Sequence, residues 1–496
     1  MNMNLGRRRF VQRLAGIAAG APLLSAMKWA AGGSPMPDKP NILWLVAEDC
    51  CPDLGCYGNP LARTPRLDAF AAEGMRFTNA FCTGPVCSPS RSALATGMYQ
   101  TSIGAHHHRS HRTDGYRLPE GVRTVMDRLR DAGYFTCNAT FTGEEPLKPG
   151  KTDFNFTCER PHDGVDWREC PKDRPFFATV NFYEAHRGGS WKEIEGMPVR
   201  TDPASVVVPP YYPDDPVVRR DLAEYHDVMS LLDLKAGRVL DRLAADGLAD
   251  NTVVFFFGDN GRPLVRGKQW LYDPGIHEPL LLRVPERFLA LVRTLEKAPA
   301  APARARLLPV LDDPPVAPCA YAPGGVFDGM VSHIDITATT LQLAGVPLPE
   351  NMEGRPLFGG PAPGYVVAAR DRCDETRDRA RCVRTRRFKY IRNFMADRPY
   401  AQPNRYTEQQ YPVLALLKER AKAGTLKGSE ALFMAPRKAA EELYDLAADP
   451  HEVENLAEAP EHADTLRLMR GLLDGWTKAT GDKGGEVEPP EAANIR

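Results

Sequence analysis

Two kinds of hydrophobic pattern alternate along the chain. The first is the short unbroken apolar run: Asn41-Ile-Leu-Trp-Leu-Val-Ala47, Phe176 to Tyr183, and Thr252 to Phe257, the last rich in β-branched and aromatic residues. Runs of this length without polar alternation predict strands buried on both faces, as in a parallel sheet. The second is the helical stripe. Leu67, Phe70 and Ala71 have helical spacing within Pro65 to Glu73, which stops at Gly74. Pro89 to Thr96 reads as a helix with Ser88 at the N-cap and Pro89 at the first helical position. Val122 to Ala132 predicts an amphipathic helix, ended by Gly133 and followed by a strand from Tyr134 to Asn138. From Arg219 to Asp246, Leu222, Tyr225, Met229, Leu232, Ala236, Val239, Leu240 and Leu243 share one stripe, and Gly247 ends it. Strands alternating with helices predict an α/β fold, a large mostly parallel sheet sandwiched by helices.

A Pro/Gly linker from Gly32 to Pro40 precedes the first strand, and a second compositional break falls at 359–364, Gly-Gly-Pro-Ala-Pro-Gly. Beyond it lie strand-like segments, Tyr365 to Ala369 and Cys382 to Phe394, then a helix-rich end. The expected organisation is a main domain over 38–360 and a smaller C-terminal α+β domain over 361–496 with an antiparallel sheet. No internal repeat is evident.

Composition narrows the function classes. The 496 residues carry 63 Lys+Arg against 64 Asp+Glu, which argues against a global electrostatic grip on nucleic acid or anionic membrane. It does not exclude a small basic pocket. Apolar residues at 43% suffice for a sizeable core. Gly6-Arg7-Arg8-Arg9-Phe10-Val11, followed by an apolar stretch to Ala31, has the form of a signal peptide over 1–31. Its paired arginines resemble the twin-arginine type, which exports folded proteins. No later run reaches the roughly 18 apolar residues of a membrane span. The mature protein is expected to be soluble and periplasmic or secreted. Export permits disulfides, and the 11 cysteines leave at least one sulfur over. Cys373 with Cys382, and a pair among Cys137, Cys158 and Cys170, are the candidate bridges. No CxxC pair points to structural zinc.

Chemistry-bearing residues collect where the three predicted strands end: Glu48-Asp49, Glu184-Ala185-His186, and Asp259-Asn260. In open α/β sheets, ligands bind outside the carboxyl ends of strands, so these groups can share one crevice. Glu48, Asp49, Asp259 and Asn260 offer only oxygen ligands, which suit a hard cation such as Ca²⁺, with Mg²⁺ as the alternative.

The strongest local signal is Cys87-Ser88-Pro89-Ser90-Arg91, followed by Leu94-Ala95-Thr96-Gly97. Cys-x-Pro-Ser-Arg-x4-Thr-Gly resembles the signature of type I sulfatases of the alkaline-phosphatase superfamily. Asn41 to Gly58, Phe256 to Gly261, Gly267-Lys268 with Leu271 to Gly275, Asp335 to Leu341, and Glu442 to Leu456 are similar to further landmarks of that family. The look is closest to the heparan N-sulfatase (sulfamidase) branch. The resemblance implies an alkaline-phosphatase-like fold and hydrolysis of sulfate esters or sulfamates on sulfated carbohydrate. It implies that Cys87 is converted to formylglycine by a maturation enzyme, and that the hydrate attacks sulfur. Glu48, Asp49, Asp259, Asn260 and position 87 would hold the metal. Arg91 would hold the hydrate, Lys151 and Lys268 would bind sulfate oxygens, and His186 would bind sulfate or protonate the leaving group.

The sequence departs from the family's pattern in places. Many sulfatases have Asp where Glu48 stands, and the usual Lys-x-His reads Lys151-Thr152-Asp153 behind an apparent insertion, Phe141 to Gly150. His106-His107-His108 and His111 lack a matching Cys/His cluster in the sequence, so a polar rim near the substrate is the reading for them, with His106 as sugar contact and His277 on the same rim. Two other functions stay open: a phosphodiester or phosphonate monoester hydrolase of the same superfamily, and a non-catalytic carbohydrate-binding homologue.

Overall fold

The computed structural model describes residues 39–108, 115–299 and 316–486. The signal-like segment 1–31 and His111 lie outside the described residues. Eight strands build the main sheet: β1 (Asn41–Ala47), β2 (Met75–Phe81), β3 (Phe135–Thr140), β4 (Lys148–Pro149), β5 (Phe176–Phe182), β6 (Thr252–Gly258), β7 (His277–Arg283) and β8 (Gly325–Ser332). Their order is β4-β3-β5-β1-β6-β7-β2-β8. β1 pairs parallel with β5 and β6, β3 with β5, and β2 with β8, whereas β7 runs antiparallel between β6 and β2. The large mostly parallel sheet is therefore present, with β7 and the two-residue β4 reversed.

Every residue of β1 is buried, as its unbroken apolar run requires. Alternation then splits it between two cores. Leu43, Leu45 and Ala47 join Val254 and Phe256 of β6 on one face. Ile42, Trp44 and Val46 join Val253, Phe255 and Phe257 on the other. The Trp44 ring meets Phe177 and Phe257 edge-on at 4.9 and 5.6 Å.

The helices cover both faces. α1 spans Pro65–Glu73, α2 Cys87–Thr96, α3 Val125–Asp131 and α4 Pro216–Ala245. α4 lays Leu222, Tyr225, Met229, Leu232, Ala236, Val239 and Leu243 on the first core, the stripe expected of it. It begins at Pro216, ahead of the stripe, because Asp215 accepts a hydrogen bond from Val217 N (2.8 Å) and Pro216 fits the first helical turn. α3 begins at Val125 because Thr124 Oγ1 accepts from Asp127 N. α3 and the helix His333–Leu343 cover the second core.

A second sheet has the order β12-β11-β10-β9 and is antiparallel throughout. β9 is Tyr365–Arg370, β10 Ala380–Thr385, β11 Phe388–Asn393 and β12 Glu441–Asp445. The Cys382 to Phe394 segment is thus a hairpin, and β12 comes from the stretch read as helix-rich. The helix Ala463–Thr480 packs Leu466, Met469, Leu473 and Trp476 against Val367, Val383, Tyr390 and Leu443.

A buried ionic clamp joins the sheets. Asp273 accepts from Arg384 (3.1 and 3.0 Å) and pairs with Lys389 (2.5 Å), which also pairs with Glu452 (2.5 Å). Glu452 in turn accepts from Asp273 N at 2.8 Å. These contacts hold the Asp273 carboxyl far below the ordinary carboxylate range in spite of its burial.

The expected disulfides are absent. All eleven cysteines are free thiols. Cys382, on β10, is committed to the core opposite Ile391 of β11, while Cys373 turns its sulfur to His108 Nδ1 at 3.5 Å.

Glu278, on β7, is buried (1% exposed), and its Oε1 has no hydrogen-bond partner among the described residues. Burial pushes its pKa well above the usual value, and the charge of Asp259 adds to this. The folded state therefore keeps this proton to a higher pH than the unfolded chain, and stability falls as pH rises above about 4.5, by up to about 1.4 kcal/mol per unit. Glu278→Gln removes that loss. Its melting temperature should exceed the wild type's by a few degrees at pH 8 and by much less at pH 5; a difference independent of pH would contradict a raised pKa.

Candidate active site

The register of three adjacent strands assembles the site. Ala47 lies opposite both Phe182 and Gly258, so β5, β1 and β6 end together. The ladder continues one step past their ends: Glu48 N donates to Phe182 O (2.9 Å) and Asp259 N to Ala47 O (3.1 Å). Asp49 then takes a left-handed conformation, φ 56°, which Asp tolerates better than most residues. Its N–H donates to Asp259 Oδ1 at 3.0 Å. Asn260 Nδ2 donates to Asp49 Oδ1 at 2.7 Å.

α2 delivers the signature. It starts two residues earlier than expected, because extended Val86 takes the cap position. Cys87 thereby becomes the first helical residue, Ser88 lies inside the helix, and Pro89 still falls within the first turn, where no backbone N–H is required. Cys87 Sγ lies 3.3 Å from Glu48 Oε1 and 3.8 Å from Asp49 Oδ1. The Ser90 hydroxyl donates to the Asp259 carbonyl. Arg91, one turn on, donates from Nε to Asp259 (2.8 Å) and from Nη1 to Asn181 (2.7 Å).

Cations close the cluster. Lys151 Nζ is 2.6 Å from Glu48 Oε1, and Lys268 Nζ is 2.7 Å from Asp49 Oδ2. His186 Nδ1 lies 2.9 Å from Asp49 Oδ2 and 3.2 Å from Lys268 Nζ. Lys151, the assignment the missing Lys-x-His had left loose, is thus seated on Glu48, with Asp153 at 3.6 Å from its Nζ. The Lys268 loop is held by close backbone approaches. A Cβ on Gly275 would lie 2.0 Å from Trp270 O and 2.4 Å from Gly267 O, and one on Gly261 would lie 2.2 Å from Pro274 O.

Burial alone would raise every carboxyl here. It is outweighed at Glu48, where Lys151, His186 and Arg91 hold the group well below its usual range, and at Asp49, which Lys268 and His186 bring to about 2. It prevails at Asp259, raised despite Arg91. Burial pushes the Cys87 thiol far up. Unmodified Cys87 is a neutral thiol among carboxylates and a poor nucleophile.

The donors fit a hard divalent cation. Glu48, Asp49, Asp259 and Asn260 present oxygens, and two of these, Glu48 Oε2 and Asn260 Oδ1, are buried without a hydrogen-bond partner among the described residues. Glu48, Cys87 and Asp259 converge tightly enough to share one ion, as do Glu48, Asp49 and His186.

A family model described as Sulfatase matches residues 40–173 and 162–346. The chain belongs to the sulfatase family. It is 32% identical to an ulvan-active sulfatase of Formosa agariphila over 90% of this chain and 76% of that protein. It is 28% identical to human N-sulphoglucosamine sulphohydrolase over 89% of this chain and 90% of that one. The fold matches, at 17% identity and a TM-score of 0.57, the solved structure of BT4656 in complex with its substrate D-glucosamine-2-N,6-O-disulfate, over 90% of this chain and 98% of that one. The alkaline-phosphatase-like architecture anticipated from the signature is the architecture of this sulfatase.

Two histidine expectations fare differently. His106, His107 and His108 are buried (4, 8 and 4% exposed), so they do not form an exposed rim. His106 packs against His107 at 4.2 Å between ring centroids, His107 Nε2 contacts Glu486 O (3.0 Å), and His108 Nδ1 meets Asp374 Oδ1 (3.2 Å) and Cys373. A Cys/His cluster therefore does exist here, made by residues 265 positions apart. His277 lies at the start of β7, donating from Nε2 to Thr78 O (2.8 Å) and stacking on Phe81 at 4.8 Å.

Three residues of the sulfatase site escaped the sequence reading. Asn181 is the second acceptor for Arg91; its place inside an apolar run was the available signal. Arg187 makes a buried bidentate pair with Asp221 (both 2.7 Å) and stacks on Trp191 at 4.0 Å, fixing the turn that carries His186. Tyr406, over 200 residues away in sequence, stacks on His186.

Gly275→Ala should lower kcat/KM at least about tenfold by shifting the Lys268 loop, with a fall in melting temperature. Gly471→Ala, in open space on the exposed face of the helix Ala463–Thr480, should instead stabilise by about 0.5–1 kcal/mol and leave kcat/KM unchanged. Equal behaviour of the two variants in melting and kinetics would refute the close-packing argument.

Proposed function

We propose that this sulfatase is a periplasmic or secreted hydrolase of sulfate esters or sulfamates on sulfated carbohydrate, using formylglycine made from Cys87 and a bound Ca²⁺ or Mg²⁺. The observation that carries the proposal is the convergence of position 87, four oxygen donors and three cations on one set of strand ends. The relatives' substrates support the carbohydrate class. Among the described residues no helix is long and apolar enough to cross a membrane, and the twin-arginine-like start supports export.

Glu48, Asp49, Asp259 and Asn260 would hold the metal beside position 87. A formylglycine hydrate there would supply the attacking oxygen, and the cation would lower its pKa and offset sulfate charge. The chain's own groups do the rest. Arg91 fixes the Asp259 carboxylate and sets its buried Nη2, which has no hydrogen-bond partner among the described residues, 3.9 Å from Glu48 Oε2, keeping positive charge beside position 87. The ten-residue α2 adds its N-terminal N–H groups, which favour an anion. Lys151 and Lys268 bind sulfate oxygens and stabilise charge that grows in the transition state. His186, whose Nδ1 lies 2.9 Å from Asp49 Oδ2, is placed to bind sulfate or to protonate the departing alcohol or amine.

Mass analysis of the peptide containing residue 87, from active protein, should show the aldehyde; unmodified cysteine there would refute the formylglycine mechanism. Cys87→Ala should lower kcat on an aryl sulfate by at least about 10⁴-fold with an unchanged melting curve. Chelation should abolish turnover and added Ca²⁺ should restore it. A large preference of the wild type for an aryl phosphodiester over an aryl sulfate would reassign the enzyme to phosphodiester hydrolysis.

A further inference from the structure

We propose that Tyr406 is a substrate-positioning residue, which covers the sulfate pocket from the C-terminal part of the chain and donates its phenolic hydrogen to the bound sulfo group. This rests on the sulfohydrolase reading above and adds to it a donor that neither the signature nor the metal set contains.

Three observations converge on this residue. Its ring stacks on His186, with centroids 5.6 Å apart and planes 16° from parallel, an offset arrangement favourable for aromatic pairs. Lys268 Nζ lies 5.3 Å from the same ring centroid, within the range of a cation–π contact. One side chain thus touches the two groups assigned to the sulfate and its leaving atom. Its hydroxyl, finally, is buried and has no hydrogen-bond partner among the described residues. A phenol removed from water without a partner is costly, so such a group in a native site is expected to meet one when the site fills. Burial also pushes its pKa up, so the oxygen keeps its proton and acts as a donor to an anion.

The placement is built. Tyr406 lies in the short helix Arg405–Gln410, whose cap residue Asn404 accepts from Thr407 N (3.1 Å). Asn404 donates to Cys373 O (3.3 Å) and Thr376 Oγ1 (3.2 Å). It also accepts from Gln269 Nε2 (3.3 Å), and Gln269, the residue after Lys268, holds φ at 83°. The segment bearing the phenol and the loop bearing the sulfate-binding lysine are therefore keyed to each other by one amide. Tyr411 backs the ring edge-on at 5.8 Å.

The test compares wild type, Tyr406→Phe and Tyr406→Ala, each loaded with metal and with its aldehyde content measured. An aryl sulfate serves as substrate and inorganic sulfate as competitive inhibitor. Tyr406→Phe keeps the stacking and loses only the donor. It should raise both KM and the inhibition constant of sulfate about tenfold or more, with kcat within about twofold of wild type, since one hydrogen bond to a charged group is worth this much. Tyr406→Ala should also lower kcat, because His186 and Lys268 lose the ring that orients them, and the phenylalanine variant should recover that part. An inhibition constant for sulfate in Tyr406→Phe within twofold of wild type would overturn the proposal. Failure of the sulfohydrolase reading shows up separately, as a wild type that prefers the phosphodiester.

Discussion

Three carboxylates taken out of water at the ends of two neighbouring strands are the constraint on which the rest of this structure depends. β1 and β6 must lie side by side and end in register for Glu48, Asp49 and Asp259 to meet, and the observed pairing of two fully buried strands does this. Once they meet, repulsion and desolvation demand compensation. Arg91, Lys151 and Lys268 supply it, each from a different part of the chain. α2, the loop after β4 and the glycine-tight loop after β6 are located by the charge each must bring. A divalent ion added to this balanced set leaves the pocket positive, which suits an anionic substrate.

Much of this was legible in the sequence because it is local. The three buried strands, the long stripe of α4 and the polar pairs after the strands depend on residues within a few positions of one another. The pieces that were missed depend on distance. β7 reads poorly as a strand because it opens on His277-Glu278-Pro279, and its place in the sheet is set by pairing with β6 and β2, elements distant in sequence. The start of α2 was misplaced because Ser88 has the preferred cap chemistry, whereas the extended backbone at Val86 decides the cap. The histidines at 106–108 look like a wet rim in sequence, and it takes the segment from Arg372 to Asp374, packed over them, to make them interior. Cysteine count and export suggested bridges, yet the sulfurs are spent one by one on core packing and local contacts. Lys151 sits behind an insertion that hid its alignment, and Tyr406 has no motif at all.

The two sheets divide the labour. The clustered carboxylates and the cations paired with them come from the strand ends of the main sheet, the loops after β4 and β6, and α2. The second sheet contributes none of the clustered carboxylates, but through Arg384 and Lys389, with Glu452 from the loop after β12, it grips Asp273, at the end of the loop that carries Lys268. Between β11 and β12 the chain also carries Asn404, bonded to Gln269, and Tyr406, stacked on His186. The clamp is largely buried and each charge in it has a second partner, Arg384 for Asp273 and Glu452 for Lys389, so removing Asp273 or Lys389 unbalances a network rather than a single pair.

That arrangement has a bearing on how such a protein can diversify. The strand-end register admits almost no variation, since a single-residue slip would turn Glu48 and Asp49 to different faces. The segment between β9 and β10 and the helices that follow β11 lie outside that register. New substrate preferences can therefore be written into the last third of the chain while the hydrolytic machinery is inherited intact.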